Sequence, residues 1–81
     1  MKIRGKKILI TGAAGGIGKA LAMELAARGA DLFLSDIDDT RLHPIRRQIE
    51  SMGRKCHITQ TDISQKNRVK EMIDDAVNRM G

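Results

Sequence analysis

Four glycines fall within seven residues in the run Thr11-Gly12-Ala13-Ala14-Gly15-Gly16-Ile17-Gly18. The run directly follows the apolar residues 8–10 and opens a segment rich in alanine and leucine. A glycine-rich turn from a strand into a helix brings bare backbone close to a ligand and points free N–H groups at it. The run therefore predicts a cradle for phosphate groups. The alternative is a glycine-rich turn that binds nothing.

The spacing of these glycines excludes two common phosphate loops. A P-loop ends in Gly-Lys followed by Ser or Thr, but Gly18 and Lys19 are followed by Ala20, which offers no hydroxyl to Mg²⁺. The first glycine of a P-loop is also missing, because Ala13 occupies its place. The shorter dinucleotide loop G-x-G-x-x-G fails as well, since Ala14 stands where its second glycine would be.

The loop that remains has glycines spaced by four and then two residues, at Gly12, Gly16 and Gly18. We expect Gly12 to permit a sharp turn out of the strand and Gly16 to let the backbone approach a pyrophosphate. We expect Gly18 to allow the helix to pack tightly against the sheet.

An acidic residue at the end of the second apolar run strengthens the ligand hypothesis. Asp36 lies where a carboxylate can accept hydrogen bonds from both ribose hydroxyls of an adenosine. The next residue, Ile37, cannot hold a 2′-phosphate, and the Asp36 carboxylate would repel one. Both points favour NAD over NADP. Taken alone, Asp36 is also explained as a helix-capping turn residue.

Together with Asp62, the run T-G-x-x-x-G-I-G and Asp36 resemble the short-chain dehydrogenase/reductase family over all 81 residues. The resemblance implies that Asp62 contacts the adenine amino group, that Ile63 covers the adenine ring, and that Ile17 lies on the nicotinamide side. Taken alone, Asp62 is typical of a turn or helix cap. The predicted cofactor-binding residues are Gly12, Ala14, Gly15, Gly16, Ile17, Gly18, Asp36, Ile37, Asp62 and Ile63.

The same resemblance implies a catalytic Tyr, a Lys four residues later, a Ser and often an Asn. The sequence contains no Tyr, and it corresponds to roughly the first third of a typical family member. We therefore assign no catalytic residue and expect no dehydrogenase activity from these 81 residues alone. When complete, the protein would transfer hydride between NAD and an alcohol or carbonyl substrate. The alternative is a non-catalytic cofactor-binding or interaction fragment.

Short apolar runs alternate with helical periodicities, which predicts an α/β fold: the βαβαβα portion of a Rossmann-like, doubly wound parallel sheet. Residues 1–81 form a partial dinucleotide-binding domain that ends before the expected fourth strand. The predicted strands are 7–11, 31–35 and 55–60, the last an edge strand. In the order 3-2-1-4, the first strand would present an unpaired apolar edge, which invites self-association.

Helical spacing indicates which residues each helix buries. The first helix, over 17–28, carries a stripe of Ile17, Leu21, Leu25 and Arg28 and ends at Gly29. The second follows an acidic turn, has Pro44 near its first turn, and ends at Gly53. Its predicted buried face is Leu42, Ile45, Ile49 and Met52. The third is capped by Ser64, and its apolar stripe is Val69, Met72, Ile73, Ala76, Val77 and Met80.

Composition argues against several other functions. The net charge is +5, but the basic residues are scattered and no aromatic residue lies among them to stack bases, so we expect no nucleic-acid partner. His43 and His57 lack partners at metal-ligand spacing, so we expect no metal site. No run approaches the length of a membrane span. A single cysteine, Cys56, predicts no disulfide and a cytoplasmic location.

Overall fold

Three parallel strands and three α-helices alternate along the chain in a computed structural model, which describes residues 2–81. The elements in chain order are β1 (Lys7–Thr11), α1 (Gly16–Ala27), β2 (Asp31–Asp36), a short 3₁₀ turn (Asp39–Arg41), α2 (Leu42–Ser51), β3 (Cys56–Gln60) and α3 (Lys66–Met80). The α/β βαβαβα prediction is confirmed. Observed strand bounds differ from the predicted ones by at most one residue.

The sheet has the order β1-β2-β3, with β2 in the middle. Leu9 of β1 pairs with Phe33 of β2, which pairs in turn with His57 of β3. This order confirms the predicted arrangement of the first three strands and places β3 at an edge. Within residues 2–81, β1 pairs only with β2, so its other side is open.

One face of the sheet carries the main core. Because side chains alternate along a strand, Ile10, Leu32, Leu34 and Cys56 share a face. They pack with residues of α1 and α2 in one buried cluster. The opposite face holds the fully buried Phe33 and is covered in part by α3, whose buried residue is Met72. The two faces of the sheet are therefore covered unequally by helices.

The buried faces of the helices differ from several predictions. In α1 the buried residues are Ala22 and Ala26, while Ile17 is 88% and Leu21 48% exposed. Of the predicted stripe of α1, only Leu25 packs against the core, where it is partly buried. Small residues face the sheet instead, which allows the helix to approach it closely. In α2, Leu42, Ile45 and Ile49 are buried as predicted.

Two end positions also correct the sequence interpretation. Met52 is exposed because it is the C-terminal cap of α2, one residue beyond the last helical turn. Ser64 does not cap α3: Gln65 holds that position, and the Ser64 amide and hydroxyl are both bound to Asp62. Gly29 and Gly53 end α1 and α2 as predicted, with φ of 97° and 81°.

Candidate functional site

The glycine run forms a tight turn at the carboxyl end of β1. Gly12 has a φ of 64°, a conformation that residues with a Cβ rarely adopt. The Gly15 amide donates to the Gly12 carbonyl oxygen at 3.2 Å and closes the turn. The Ala13 amide donates to the Ser35 carbonyl oxygen at 3.0 Å, so the loop is fixed to the end of β2.

Gly18 is required by close packing. A Cβ on Gly18 would lie 2.9 Å from the Cα of Ala13 and still closer to the carbonyl oxygen of Gly12. The close approach is thus between the first turn of α1 and the loop, whereas the sequence pointed to helix–sheet packing. Gly16 differs, because a Cβ there would meet nothing within 4 Å. The backbone at Gly16 therefore faces open space that a ligand could fill.

The start of α1 offers donors and carries no competing anion. Its N-terminal cap is Gly15, which has no side chain to accept a hydrogen bond, and the first turn contains no acidic residue. The amides of Gly16, Ile17 and Gly18 belong to the first turn, where intrahelical acceptors are lacking. Among residues 2–81 they have no other protein acceptor. Such an end attracts phosphate oxygens through both its N–H groups and the helix dipole.

Asp36, at the end of β2, is oriented by the glycine loop itself. Its Oδ2 accepts a hydrogen bond from the Ala14 amide at 2.9 Å, and its Oδ1 accepts one from the Asp38 amide at 3.0 Å. A carboxylate has about four acceptor positions, so about two remain free. The Ala14 amide is not available to a ligand, because it donates its hydrogen bond to Asp36. Ala14 itself is buried.

Asp36 is held in its charged form. The Asp38 amide is the largest influence lowering the pKa of this carboxyl, and the Ala14 amide and the positive charge of Arg41 add to it, against desolvation. Asp36 is therefore ionised at neutral pH.

Asp62 lies across the end of the sheet from Asp36. Its Oδ1 accepts hydrogen bonds from the Ser64 amide and hydroxyl, at 3.0 and 2.7 Å, and these lower the pKa of the Asp62 carboxyl. This is the turn role that the residue type predicts by itself. Oδ2 of Asp62 has no partner within residues 2–81, so one oxygen is available to a ligand.

A cavity of about 320 Å³ brings half of the predicted residues together, whereas residues 14–18 of the glycine run do not border it. Its walls include Gly12, Asp36, Ile37, Asp62 and Ile63, five of the ten residues predicted from sequence. Ile37 and Ile63 are exposed, at 63% and 57%, so their apolar side chains are accessible at the wall of the cavity. The cavity therefore combines two carboxylates with apolar side chains, a combination typical of small-molecule binding sites.

Two lining residues were missed from the sequence. Ser35 and Thr61 are both buried and both border the cavity. The Thr61 amide donates to the Asp36 carbonyl oxygen at 3.0 Å and joins the ends of β2 and β3. Their place at the carboxyl ends of parallel strands was the available signal, because ligands bind at that edge of such sheets.

The remaining candidate side chains do not form a second reactive centre. Cys56 is buried, and burial raises the pKa of its thiol to about 12, so it is an apolar core residue. Within the described residues, no group of three His, Cys, Asp or Glu side chains could hold a metal ion. Nor is any helix of residues 2–81 both long and apolar enough to cross a membrane.

Comparison with known proteins identifies the family. The family model for short chain dehydrogenases matches residues 6–81. The chain belongs to the short-chain dehydrogenase family and forms the N-terminal, Rossmann-like portion of that fold.

Individual relatives agree with this assignment. A short-chain dehydrogenase/reductase from Armillaria gallica is 40% identical, with 96% of this chain and 31% of the relative covered. NAD⁺-bound xylitol dehydrogenase superposes with a TM-score of 0.94 at 30% identity, covering 100% of this chain and 31% of that one. A short chain dehydrogenase from Mycobacterium paratuberculosis bound to NAD gives 0.90 at 30% identity, covering 100% and 35%. The chain spans about a third of the length of these relatives.

Proposed function

We propose that this chain binds NAD(H) and is the cofactor-binding portion of a short-chain oxidoreductase. The observation that carries the proposal is the bond from the Ala14 amide to Asp36, at 2.9 Å. It fixes the ribose-binding carboxylate beside a helix end whose amides face outward. NAD-bound relatives of the same fold support a nicotinamide cofactor.

Each part of NAD has residues that fit it. The amides of Gly16, Ile17 and Gly18 would hold the pyrophosphate, and the open space above Gly16 admits it. Asp36 would accept the two hydroxyls of the adenosine ribose. For the adenine, Asp62 would accept from the amino group, with Ile37 and Ile63 against the ring. Bound NAD supplies the hydride acceptor.

The proposed preference is for NAD over NADP. Asp36 is held ionised, and a 2′-phosphate on the ribose would meet this negative charge at short range. Arg41 carries a positive charge close enough to lower the pKa of Asp36, but it is a weaker influence than either the Asp38 or the Ala14 amide. Repulsion at Asp36 therefore decides the preference.

For a longer protein that supplies the family's Tyr and Lys, the proposed reaction is hydride transfer between NAD and an alcohol or carbonyl substrate. The 81 residues contain no Tyr, so we propose that they have no dehydrogenase activity alone. In that case the chain acts as a non-catalytic cofactor-binding or interaction fragment. The cytoplasm is its proposed location, supported by the single, buried cysteine.

Calorimetric titration tests the cofactor proposal. The wild-type chain should release or absorb heat on titration with NAD and bind NADP at least about tenfold more weakly, because a close like-charge contact costs 1.4 kcal/mol or more. Asp36→Ala should weaken NAD binding by about tenfold or more, since hydrogen bonds to a charged group are strong. Asp74→Ala, at an exposed position on α3, is the control. A folded wild-type chain that gives no heat with NAD contradicts the proposal.

A second proposal concerns the 81 residues on their own: without the fourth strand that the family resemblance places beside β1, the open side of β1 pairs with a second copy of the chain. Leu9 is 38% exposed there, beside the apolar residues Ile73 and Val77 of α3. An unpaired strand edge with apolar neighbours favours such pairing. Sedimentation equilibrium should show concentration-dependent association that Leu9→Lys reduces. Met52→Lys, at a similarly exposed position on α2, should leave the association unchanged. A monomer at all concentrations contradicts it.

A further inference from the structure

Ser35 is an unusual residue at the carboxyl end of β2. Its side chain is fully buried, and within residues 2–81 its hydroxyl oxygen has no hydrogen-bond partner. Buried hydroxyl groups in folded proteins are nearly always paired, and the exceptions need a specific cause. The backbone of Ser35 is not displaced, because its carbonyl oxygen accepts the Ala13 amide at 3.0 Å. The unpaired group is the side chain alone.

The position of Ser35 connects it to the candidate site. It pairs in register with Thr11 on one side and Thr59 on the other, so three hydroxyl residues cross the end of the sheet on one face. Of the three, Ser35 borders the 320 Å³ cavity that also contains Asp36 and Asp62. Rotation about χ1 moves a serine hydroxyl among three staggered positions without moving the backbone. Such rotamer changes are common when a ligand binds.

We propose that Ser35 is a binding residue for the adenosine end of the cofactor, an inference that rests on the proposed NAD site. In the unliganded chain its hydroxyl is unsatisfied. When the nucleotide fills the cavity, the hydroxyl turns toward it and hydrogen-bonds a polar atom of the adenosine, directly or through one trapped water. Ser35 thus slightly lowers the stability of the chain without nucleotide and raises its affinity for the nucleotide.

Ser35→Ala tests this proposal with two measurements, because the variant should lose affinity for the nucleotide without losing thermal stability. Calorimetry should show NAD and AMP binding about three- to tenfold more weakly, the value of one neutral hydrogen bond. Thermal unfolding of the unliganded chain, followed by circular dichroism, should occur at an equal or higher temperature, because the unpaired group is gone. Both ligands carry adenosine, so both should lose affinity. Thr59→Val, in the same hydroxyl row but outside this cavity, should bind NAD as the wild type does.

The outcomes separate the two proposals. If Asp36→Ala loses NAD binding while Ser35→Ala keeps wild-type affinity, the role of Ser35 is refuted and the cofactor site stands. If Ser35→Ala lowers both affinity and unfolding temperature, Ser35 is structural and the inference is likewise refuted. A wild-type chain that does not bind NAD overturns both. Should Ser35→Ala not fold, Ser35→Cys decides, since it retains the volume with a much weaker hydrogen-bonding group.

Discussion

The carboxyl end of the sheet and the outer side of β1 are built in opposite ways. At the carboxyl end, the Ala13, Ala14 and Thr61 amides all have acceptors on residues 35 and 36, beside a cavity bordered by two carboxylates and two isoleucines. Along the outer side of β1, a strand edge is unpaired and is flanked by exposed apolar side chains. We propose the first region as the nucleotide site and the second as a surface for contact with another copy of the chain.

This contrast separates the residues that we propose to bind the cofactor from those that we propose to contact another copy of the chain. The glycine loop depends only on β1, β2 and α1, all of which pack in one buried cluster. The α3 face, by comparison, buries Met72 but leaves Ile73 and Val77 46% and 61% exposed. Ligand binding and surface cover are therefore expected to respond to different mutations.

The largest expected effect is on the free energy of unfolding, and it distinguishes the sheet face that packs on α1 and α2 from the exposed side of α3. Leu32→Ala removes a fully buried side chain and should lower the free energy of unfolding by about 2–5 kcal/mol. Val77→Ala, on the exposed stripe of α3, should change it by about 0.5 kcal/mol or less at low protein concentration. Urea unfolding followed by circular dichroism measures both, since the chain has no Trp or Tyr to report by fluorescence. Equal losses would mean that the α3 face is covered in solution.

The next prediction uses two glycines of the same loop. Gly18→Ala places a Cβ against the Gly12 carbonyl and should cost about 1–3 kcal/mol of unfolding free energy, as overpacked sites do. Gly16→Ala has open space and an ordinary helical position, so it should raise the free energy by about 0.4–1 kcal/mol. The same Gly16→Ala should weaken NAD binding, because its methyl group enters the space left for the pyrophosphate. Equal destabilisation by both variants would contradict the packing difference.

The sequence was sufficient for the strands and for the loop, but not for which side of α1 is buried. Short apolar runs that follow helix-ending glycines predict the strands from local residue types alone. Gly29 and Gly53, which precede β2 and β3, have the expected left-handed backbone. Hydrophobic periodicity gives most weight to large residues, whereas α1 uses Ala22 and Ala26 to approach the sheet. Which side of α1 is buried depends on the distance between the helix and the sheet. The spacing of apolar residues does not reveal that distance.

Local hydrogen bonding explains the other differences. Ser64 is a good helix-capping residue by type, but Asp62 binds both its amide and its hydroxyl, and α3 begins later. Five of the ten predicted site residues meet in one cavity because parallel strands end at a common edge. Ser35 could not be found by its type, since the absence of a partner for its hydroxyl depends on the packing around it.

The smallest expected effect concerns Asp36 in the absence of ligand. Hydrogen bonds from the Asp38 and Ala14 amides lower its pKa in the folded chain relative to the unfolded one. At pH values between the folded pKa and the ordinary Asp value of about 3.9, the unfolded chain binds more protons, so stability rises with pH. The contribution of Asp36 to the free energy of unfolding is therefore complete at pH values above the ordinary Asp pKa. It disappears as the pH falls through the lowered pKa of the folded chain.

Asp36→Asn should accordingly flatten the acid limb of a plot of unfolding free energy against pH, while leaving part of the slope, because the pKa of Asp62 is lowered too. Asp74→Asn, on the exposed side of α3, is the matched control and should leave the limb unchanged. Urea unfolding at a series of pH values from about 5 to 2.5 measures the three proteins. If Asp36→Asn reproduces the wild-type limb, the Asp38 and Ala14 amides do not hold the carboxylate in solution. The contrast between the carboxyl end of the sheet and the open side of β1 would then lose the hydrogen bond on which it mainly depends.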